Sequence, residues 1–329
     1  MLNIYKIGGD ITSDYKKIIL ALDLFKKDKS NKIIVVSAAR GVTDALINSI
    51  DKEKTASDLL QEHLKLASNL NLDIKEIEEK LKLELKNIYH ENFDEVISLG
   101  ERLMIIIIKE YFNNNLKVNS TTGYDAGILV EDEIILKECK NHVKNFIKNN
   151  FLDKNIIPLI TGFDGISNGK RATLGRSGSD QTATFLAYAL EADAVYLLKN
   201  TKGVETTDPS IVENAKHIQH LSYDMAMEAG NIQLEAIQYV KRDSIPFFIQ
   251  DINNSEIKTK IDYHCSVSGI KLITGVENCV FFEVGEIRDQ PGAEKEIIDS
   301  FSKYNINKVI SLDTRNSVAF VLNSGLDKI

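Results

Sequence analysis

Cysteine is scarce in this chain, and what there is does not pair. Cys139, Cys265 and Cys279 are odd in number, widely spaced and without a CxxC motif, which fits reduced thiols better than a disulfide framework. A formal net charge of −8 over 329 residues leaves no broad basic surface. No basic run with interleaved aromatics occurs either, so nucleic acid is not an expected partner. The apolar run at 104–108 is far too short to span a bilayer. The opening MLNIYKIGGD lacks the cationic and apolar regions of a secretory leader. His217 and His220 have no acidic or cysteine companions, and His63, His90, His142 and His264 are isolated, so no histidine metal centre is expected. Neither a GxSxG elbow nor a Walker phosphate loop is present. These absences predict a cytoplasmic protein with no membrane partner.

What the chain does contain is an alternation of strands and helices. With 43% apolar and 27% charged residues it is long enough for one large domain and a small one. Leu2–Ile7 reads as an apolar strand that breaks at Gly8-Gly9, and residues 15–25 have helical spacing. Residues 32–37 (KIIVVS) form a β-branched run of the kind covered on both faces, and 43–50 turn back to helix. The pattern predicts an α/β fold, a three-layer αβα sandwich around a mainly parallel sheet.

Residues 52–89 change to Leu, Lys and Glu with helical periodicity, an excursion to about residue 90 expected to cover a sheet edge and carry no chemistry. Residues 96–111 read as one core helix that nevertheless holds Glu101 and Arg102. A charged pair entering a buried helix is costly unless partnered, so Glu101 is either an ion-pair member or a ligand contact. Residues 271–329 read as a small βαββ unit, with strands over 279–284, 308–312 and 317–322 and a helix over 292–304. Asp289-Gln290-Pro291-Gly292 is the turn into that helix.

The densest chemistry lies in residues 161–180, TGFDGISNGKRATLGRSGSD. A buried strand over 156–160 ends in a glycine and hydroxyl run, and a helix follows over 181–190, with Gly175, Ser177, Gly178 and Ser179 between them. Such a junction aims backbone N–H groups and the positive helix end at an anion. An ordinary glycine-rich turn gives part of this pattern, but Arg176 and Asp180 inside it suggest transfer chemistry at a phosphate-sized turn. A second junction follows the strand 194–198, with Lys199-Asn200-Thr201-Lys202-Gly203-Val204 where open α/β sheets bind ligands. Its two lysines are either phosphate-neutralising or merely solvated.

Several segments together resemble one family. KIGGD (6–10), VVSAARGVTDAL (35–46), SLGERL (98–103), the 161–180 block, ALEADAVYLLKNTKGVETTDP (189–209) and LSYDMAME (221–228) are similar, in order, to the aspartokinase branch of the amino acid kinase superfamily. The resemblance covers about residues 1–255. The terminal unit is similar to one ACT module, the regulatory domain that follows the kinase in many aspartokinases. This gives a kinase domain over 1–260 and an ACT-like module over 270–329. Those enzymes usually carry two such modules, so control by lysine or threonine is not expected.

The resemblance implies phosphoryl transfer from ATP to an amino acid, with Mg2+ carried by the nucleotide and no metal site of the protein's own. Such transfer needs charge neutralisation and alignment more than covalent help. Lys6 matches the family's phosphate-binding lysine, Gly8, Gly9, Gly178 and Ser179 surround the phosphates, and Asp180 matches the acid that orients the catalytic cations. Ser37, Thr43, Glu101 and Arg176 match the acceptor site, where a carboxylate suits an α-ammonium and a guanidinium an α-carboxylate. Lys199, Asn200, Lys202, Gly203, Glu205 and Ser210 fall in the nucleotide loop.

The departures bear on the acceptor. The family's GGTS is here Gly8-Gly9-Asp10-Ile11, its Thr-Asp pair is Lys199-Asn200, and its later tyrosine and arginine are Glu205 and Ser210. The lysine of a segment similar to FGAKVLHP has no counterpart in 229–234, and Lys199 or Lys202 is the candidate replacement. Asp10 near the transfer site would repel a carboxylate nucleophile but would assist a hydroxyl as a catalytic base. The overall resemblance favours L-aspartate, giving 4-phospho-L-aspartate, the first step of aspartate-family amino acid biosynthesis. A homoserine kinase with Asp10 as base is the alternative, and a non-catalytic amino acid sensor comes third. A lone βαββ unit leaves sheet edges exposed, which predicts a homo-oligomer, a dimer.

Overall fold

The apolar runs become the centre of one sheet. In a computed structural model, which describes residues 1–175, 177–207, 212–228, 234–263, 279–285, 295, 307–313 and 317–323, β1 (Leu2–Ile7) and β2 (Asn31–Val36) are buried along their length after the first residue. Then come β3 (Val118–Thr121), the hairpin β4 (Val130–Glu131) and β5 (Ile134–Ile135), β6 (Ile157–Thr161), and the hairpin β7 (Asp164–Ser167) and β8 (Lys170–Thr173). The first unit closes with β9 (Ala194–Lys199), the small pair β10 (Val204–Glu205) and β11 (His217–Ile218), β12 (His220–Ser222), β13 (Phe247–Asp251) and β14 (Lys258–Asp262). Eight of these strands form one sheet in the order β12-β14-β13-β9-β1-β2-β6-β3. Every neighbouring pair is parallel except β13 with β14.

Helices cover both faces, because side chains along a strand alternate between them. The helices are α1 (Gly9–Thr12), α2 (Tyr15–Lys27), α3 (Val42–Ile47), α4 (Lys52–Asn69), α5 (Ile74–Leu85), α6 (Phe93–Ile97), α7 (Leu99–Asn113), α8 (Lys140–Asn150), α9 (Gly178–Leu190), α10 (Tyr223–Glu228) and α11 (Leu234–Arg242). Ile4, Val35, Ile160 and Leu197 join Val143, Phe185 and Ile237 of α8, α9 and α11 in one core. Tyr5, Val36, Leu159 and Leu198 join Ile18 and Phe25 of α2 and Leu103 and Ile107 of α7 in the other. This is the expected αβα sandwich.

The excursion differs from expectation in its place. It forms α4 and α5, capped by Asp51 and Asp73, but it does not cover a sheet edge. It packs on α7, which itself lies on β2, β3 and β6, so it adds an outer layer. The reason is that α7 is buried on most of its sides, and a helix of that kind needs cover on its outer side as well. Residues 96–111 are likewise not one helix, since α6 and α7 share Ser98 as a cap.

The chain separates into two compact units, Met1–Leu272 and Ile273–Ile329. In the second, β15 (Cys279–Gly285), β16 (Asn307–Asp313) and β17 (Ser317–Asn323) form an antiparallel sheet in the order β15-β17-β16, with Phe320 buried. The expected helix over 292–304, apart from Lys295, and the turn before it lie outside the described residues. No helix among the described residues is long and apolar enough to cross a membrane.

Two glycines let the layers close. A Cβ on Gly100 of α7 would stand 2.7 Å from the Ala38 Cβ, and one on Gly162 would stand 2.5 Å from the Ser179 Cβ at the start of α9. Neither neighbour is the far end of a flexible side chain. Gly162→Ala should therefore destabilise the fold by about 1–3 kcal/mol, the usual range for overpacking, as read by denaturant unfolding.

Candidate active site

The first strand and the start of α9 meet through opposite charges. Lys6 Nζ lies 2.8 Å from Asp180 Oδ1, with side chains 9% and 5% exposed. Burial raises the Asp180 carboxyl, but the nearby Lys6 and Lys199 cations outweigh it and hold the group below the usual carboxylate range. Lys199 closes β9, next to β1 in the sheet. The loop after β1 comes close as well, since a Cβ on Gly8 would sit 3.4 Å from Lys6 Nζ and one on Gly9 would sit 3.1 Å from the Ala38 carbonyl oxygen. The Gly8 carbonyl accepts from the N–H groups of Ile11 and Thr12 in α1, and Thr12 Oγ1 donates to the Ala38 carbonyl at 3.1 Å. Ser179 is buried between α9 and Gly162. Ser177, left-handed at φ 59°, carries the chain into the helix, which begins three residues before the expected 181.

On the other side stands Glu101. Its Oε1 accepts from the Ala38 backbone N–H at 3.1 Å, while Oε2 is buried with no partner among the described residues, as is the Ser37 hydroxyl oxygen. Burial, with a smaller push from the Asp164 charge, raises its carboxyl to about 8 against the opposing Ala38 N–H and Lys6. Thr43 is near, its Oγ1 3.8 Å from where a Cβ of Gly100 would lie. Arg102 turns the other way, to Glu84 at 2.9 Å and to Glu95. The neighbouring charges therefore divide, Arg102 to a structural ion pair and Glu101 to the Ala38 backbone, with its second oxygen unpaired among the described residues.

The remaining expected residues are more dispersed. Asp10 is exposed and paired with Arg40 at 3.2 Å. Asn200 is exposed and accepts from Asn253 at 3.1 Å, and Lys202 is exposed beside it. Gly203 has a φ of 89° and abuts Thr259, whose hydroxyl oxygen accepts the Val204 N–H at 2.9 Å. Glu205 stands opposite His217 in the antiparallel register of β10 and β11. Arg176, Ser210 and residues 229–233 lie outside the described residues. No cluster of three or more His, Cys, Asp or Glu that could hold a metal ion is found among the described residues.

Sequence reasoning passed over Asp164, Thr161 and Gly123. Thr161 Oγ1 donates to Asp164 Oδ1 at 2.6 Å, and the Gly123 N–H reaches both side chains. A carboxylate immediately after a buried strand and a glycine was the available signal.

Comparisons with known proteins bear on the family and the fold. A model of the amino acid kinase family matches residues 1–251. The chain is 30% identical over 234 residues to the aspartokinase of Rickettsia bellii, covering 69% of this chain and 50% of that one. It is 30% identical over 190 residues to the aspartokinase of Geobacillus stearothermophilus, covering 56% and 46%. The chain thus spans about half the length of these curated relatives. Escherichia coli aspartokinase III in complex with aspartate and ADP shares the fold with a TM-score of 0.81, at 19% identity over 99% of this chain and 79% of that one.

The raised Glu101 pKa has a consequence for stability. The folded state holds a proton that the unfolded state gives up in the ordinary glutamate range, so stability falls as pH rises from that range to about 8. Glu101→Gln removes the titration. Its melting temperature should depend less on pH across that window than that of the unmodified protein, as measured by calorimetry.

Proposed function

The chain belongs to the amino acid kinase family, in its aspartokinase branch, and from that premise we propose that it transfers the γ-phosphoryl group of ATP to the side-chain carboxylate of aspartate. The observation that carries this reading is the buried Glu101 Oε2, which has no hydrogen-bond partner among the described residues, together with the nearby Lys6–Asp180 pair. An α-ammonium is the group that satisfies such an oxygen, and its binding would draw Glu101 into the ionised form. Ser37 and Thr43 add hydroxyls on the same side, and Arg176 is the residue assigned to the α-carboxylate.

Each remaining group then has a task in phosphoryl transfer, where positioning and charge neutralisation do most of the work. Lys6 meets the charge that develops on the transferring oxygens, Asp180 holds its ammonium in place, and Gly8 and Gly9 let the backbone approach the phosphates. Lys199 is the second cation and the proposed substitute for the family lysine missing from residues 229–234. Magnesium would arrive on the nucleotide and supply further charge neutralisation, with Asp180 the carboxylate that would hold it. A metal bound that way keeps several waters and needs only one or two carboxylates, a demand Asp180 fits. The acceptor carboxylate has no proton to lose, so no base is required of the protein. Asp10 is paired with Arg40 and is not called on in this reaction.

Domain limits of about 1–260 for the kinase and 270–329 for an ACT-like module belong to the same proposal. The edge strands β15 and β16 suit pairing with a second copy, and light scattering should report a dimer.

The test is turnover of ATP by the full chain with aspartate, homoserine and glutamate, with hydroxylamine added to trap acyl phosphate. Hydroxamate with aspartate is expected. Acid-stable phosphate on homoserine would replace the acceptor, and no turnover with any would leave only a binding role. Lys6→Ala should abolish transfer. Lys199→Ala should lower kcat by about 100-fold or more, as for loss of a group that stabilises transition-state charge, while Lys202→Ala stays near the unmodified rate.

A further inference from the structure

Asp164 has no task in the reaction above, yet its side chain is only 1% exposed. A carboxylate that deep persists only where hydrogen bonds and charge answer it. Its Oδ1 accepts from Thr161 Oγ1 at 2.6 Å and from the Gly123 N–H at 3.1 Å. Its Oδ2 is paired with Arg171 of the adjoining strand β8. Arg171 lies 4.7 Å from the centre of the Tyr124 ring and donates through Nε to Glu95 at 2.9 Å. Glu95 in turn pairs with Arg102, which reaches Glu84 of α5 at 2.9 Å. Alternating charges therefore run without a break from the β6–β7 turn through α6 and α7 to the helical excursion.

That turn is a wall of the site. Gly162 rests against Ser179. Phe163, at φ 85°, is held there because its N–H donates to Thr182 Oγ1 at 3.3 Å and its carbonyl accepts from the Leu174 N–H at 2.7 Å. A bulky residue in the left-handed region is held only by its surroundings. The charged groups acting on Glu101 from packed elements are Asp164 of β7 and Lys6 of β1, Arg102 on its own helix being turned away.

We propose that Asp164, clamped by Arg171, is a positioning residue for the acceptor pocket: it fixes the 161–164 turn against the start of α9, and its chain of ion pairs makes the excursion part of the pocket's support. The proposal rests on the reading of Glu101 as the acceptor's partner. Two variants separate charge from geometry. Asp164→Asn keeps the size and loses the charge, and Arg171→Lys keeps the charge but not the fork that joins Asp164 to Glu95.

In both, KM for the amino acid should rise about tenfold or more, a modest effect on the scale of misplaced binding groups, while KM for ATP stays unchanged. In Asp164→Asn the Glu101 carboxyl resonance, assigned by its loss in Glu101→Gln, should also titrate at lower pH, because removing a neighbouring anion eases ionisation. Loss of stability alone, with both KM values and the Glu101 midpoint unmoved, overturns the proposal. So does an equal rise in both KM values. If the unmodified protein turns over no acceptor, the phosphotransferase reading fails instead. The Glu101 resonance then decides alone, and a midpoint that stays put in Asp164→Asn sinks the positioning role.

Discussion

The ion pair of Lys6 with Asp180 is the contact on which the arrangement of this protein turns. It ties the central strand of the sheet to the first turn of the helix behind it, and both partners are almost wholly out of water. Desolvating two charges costs free energy that their attraction only partly returns, so such a pair is poor evidence of stabilisation for its own sake. What offsets the cost locally is visible. A carboxylate in the first turn of a helix gains from the positive helix end, and Lys199 adds a second cation. The surroundings are then constrained to leave room, as the close packing at Gly8, Gly9 and Gly162 shows. A site paired within itself, with two cations for one carboxylate, carries surplus positive charge and is ready for a multiply charged anion.

Glu101 and Arg102 show how one helix serves two purposes. Successive residues of an α-helix leave its axis about 100° apart, so adjacent side chains enter different environments. Arg102 meets two carboxylates and becomes structural. Glu101 Oε1 meets the Ala38 backbone N–H, and Oε2 has no hydrogen-bond partner among the described residues. As a sequence the pair admits either an ion-pair role or a ligand contact; in the structure each residue takes one of them. The excursion supplies Glu84 to this pair. A segment that reads as mere solvated helix therefore helps keep Arg102 away from the carboxylate beside it.

Legibility followed the range of the interactions. β1, β2 and β9 are readable because a buried parallel strand is a mostly apolar run rather than an alternating one. The glycine junctions were readable because only a tight approach requires them. The start of α9 was placed too late, since Gly178-Ser179-Asp180 has no apolar periodicity and helix initiation there rests on a left-handed serine. The position of α4 and α5 was misjudged because periodicity shows which face of a helix is buried but not against what. Asp164 went unnoticed because its partners lie at 123, 161 and 171, and only hairpin register and strand order bring them together.

The identity of the acceptor turns on how Asp10 is read. As an isolated anion beside the phosphates it argues for a hydroxyl nucleophile, since it would repel a carboxylate and could take a proton from an alcohol. Its pairing with Arg40 at 3.2 Å changes the first half of that argument. The pair presents nearly no net charge at a distance, and exposure to water screens what is left, so a carboxylate approaching the site feels little repulsion from it. The repulsion declines for that reason, while the acceptor site proposed at Glu101 suits either amino acid. The remaining difference is the nucleophile itself, and a carboxylate is the one that asks for no base.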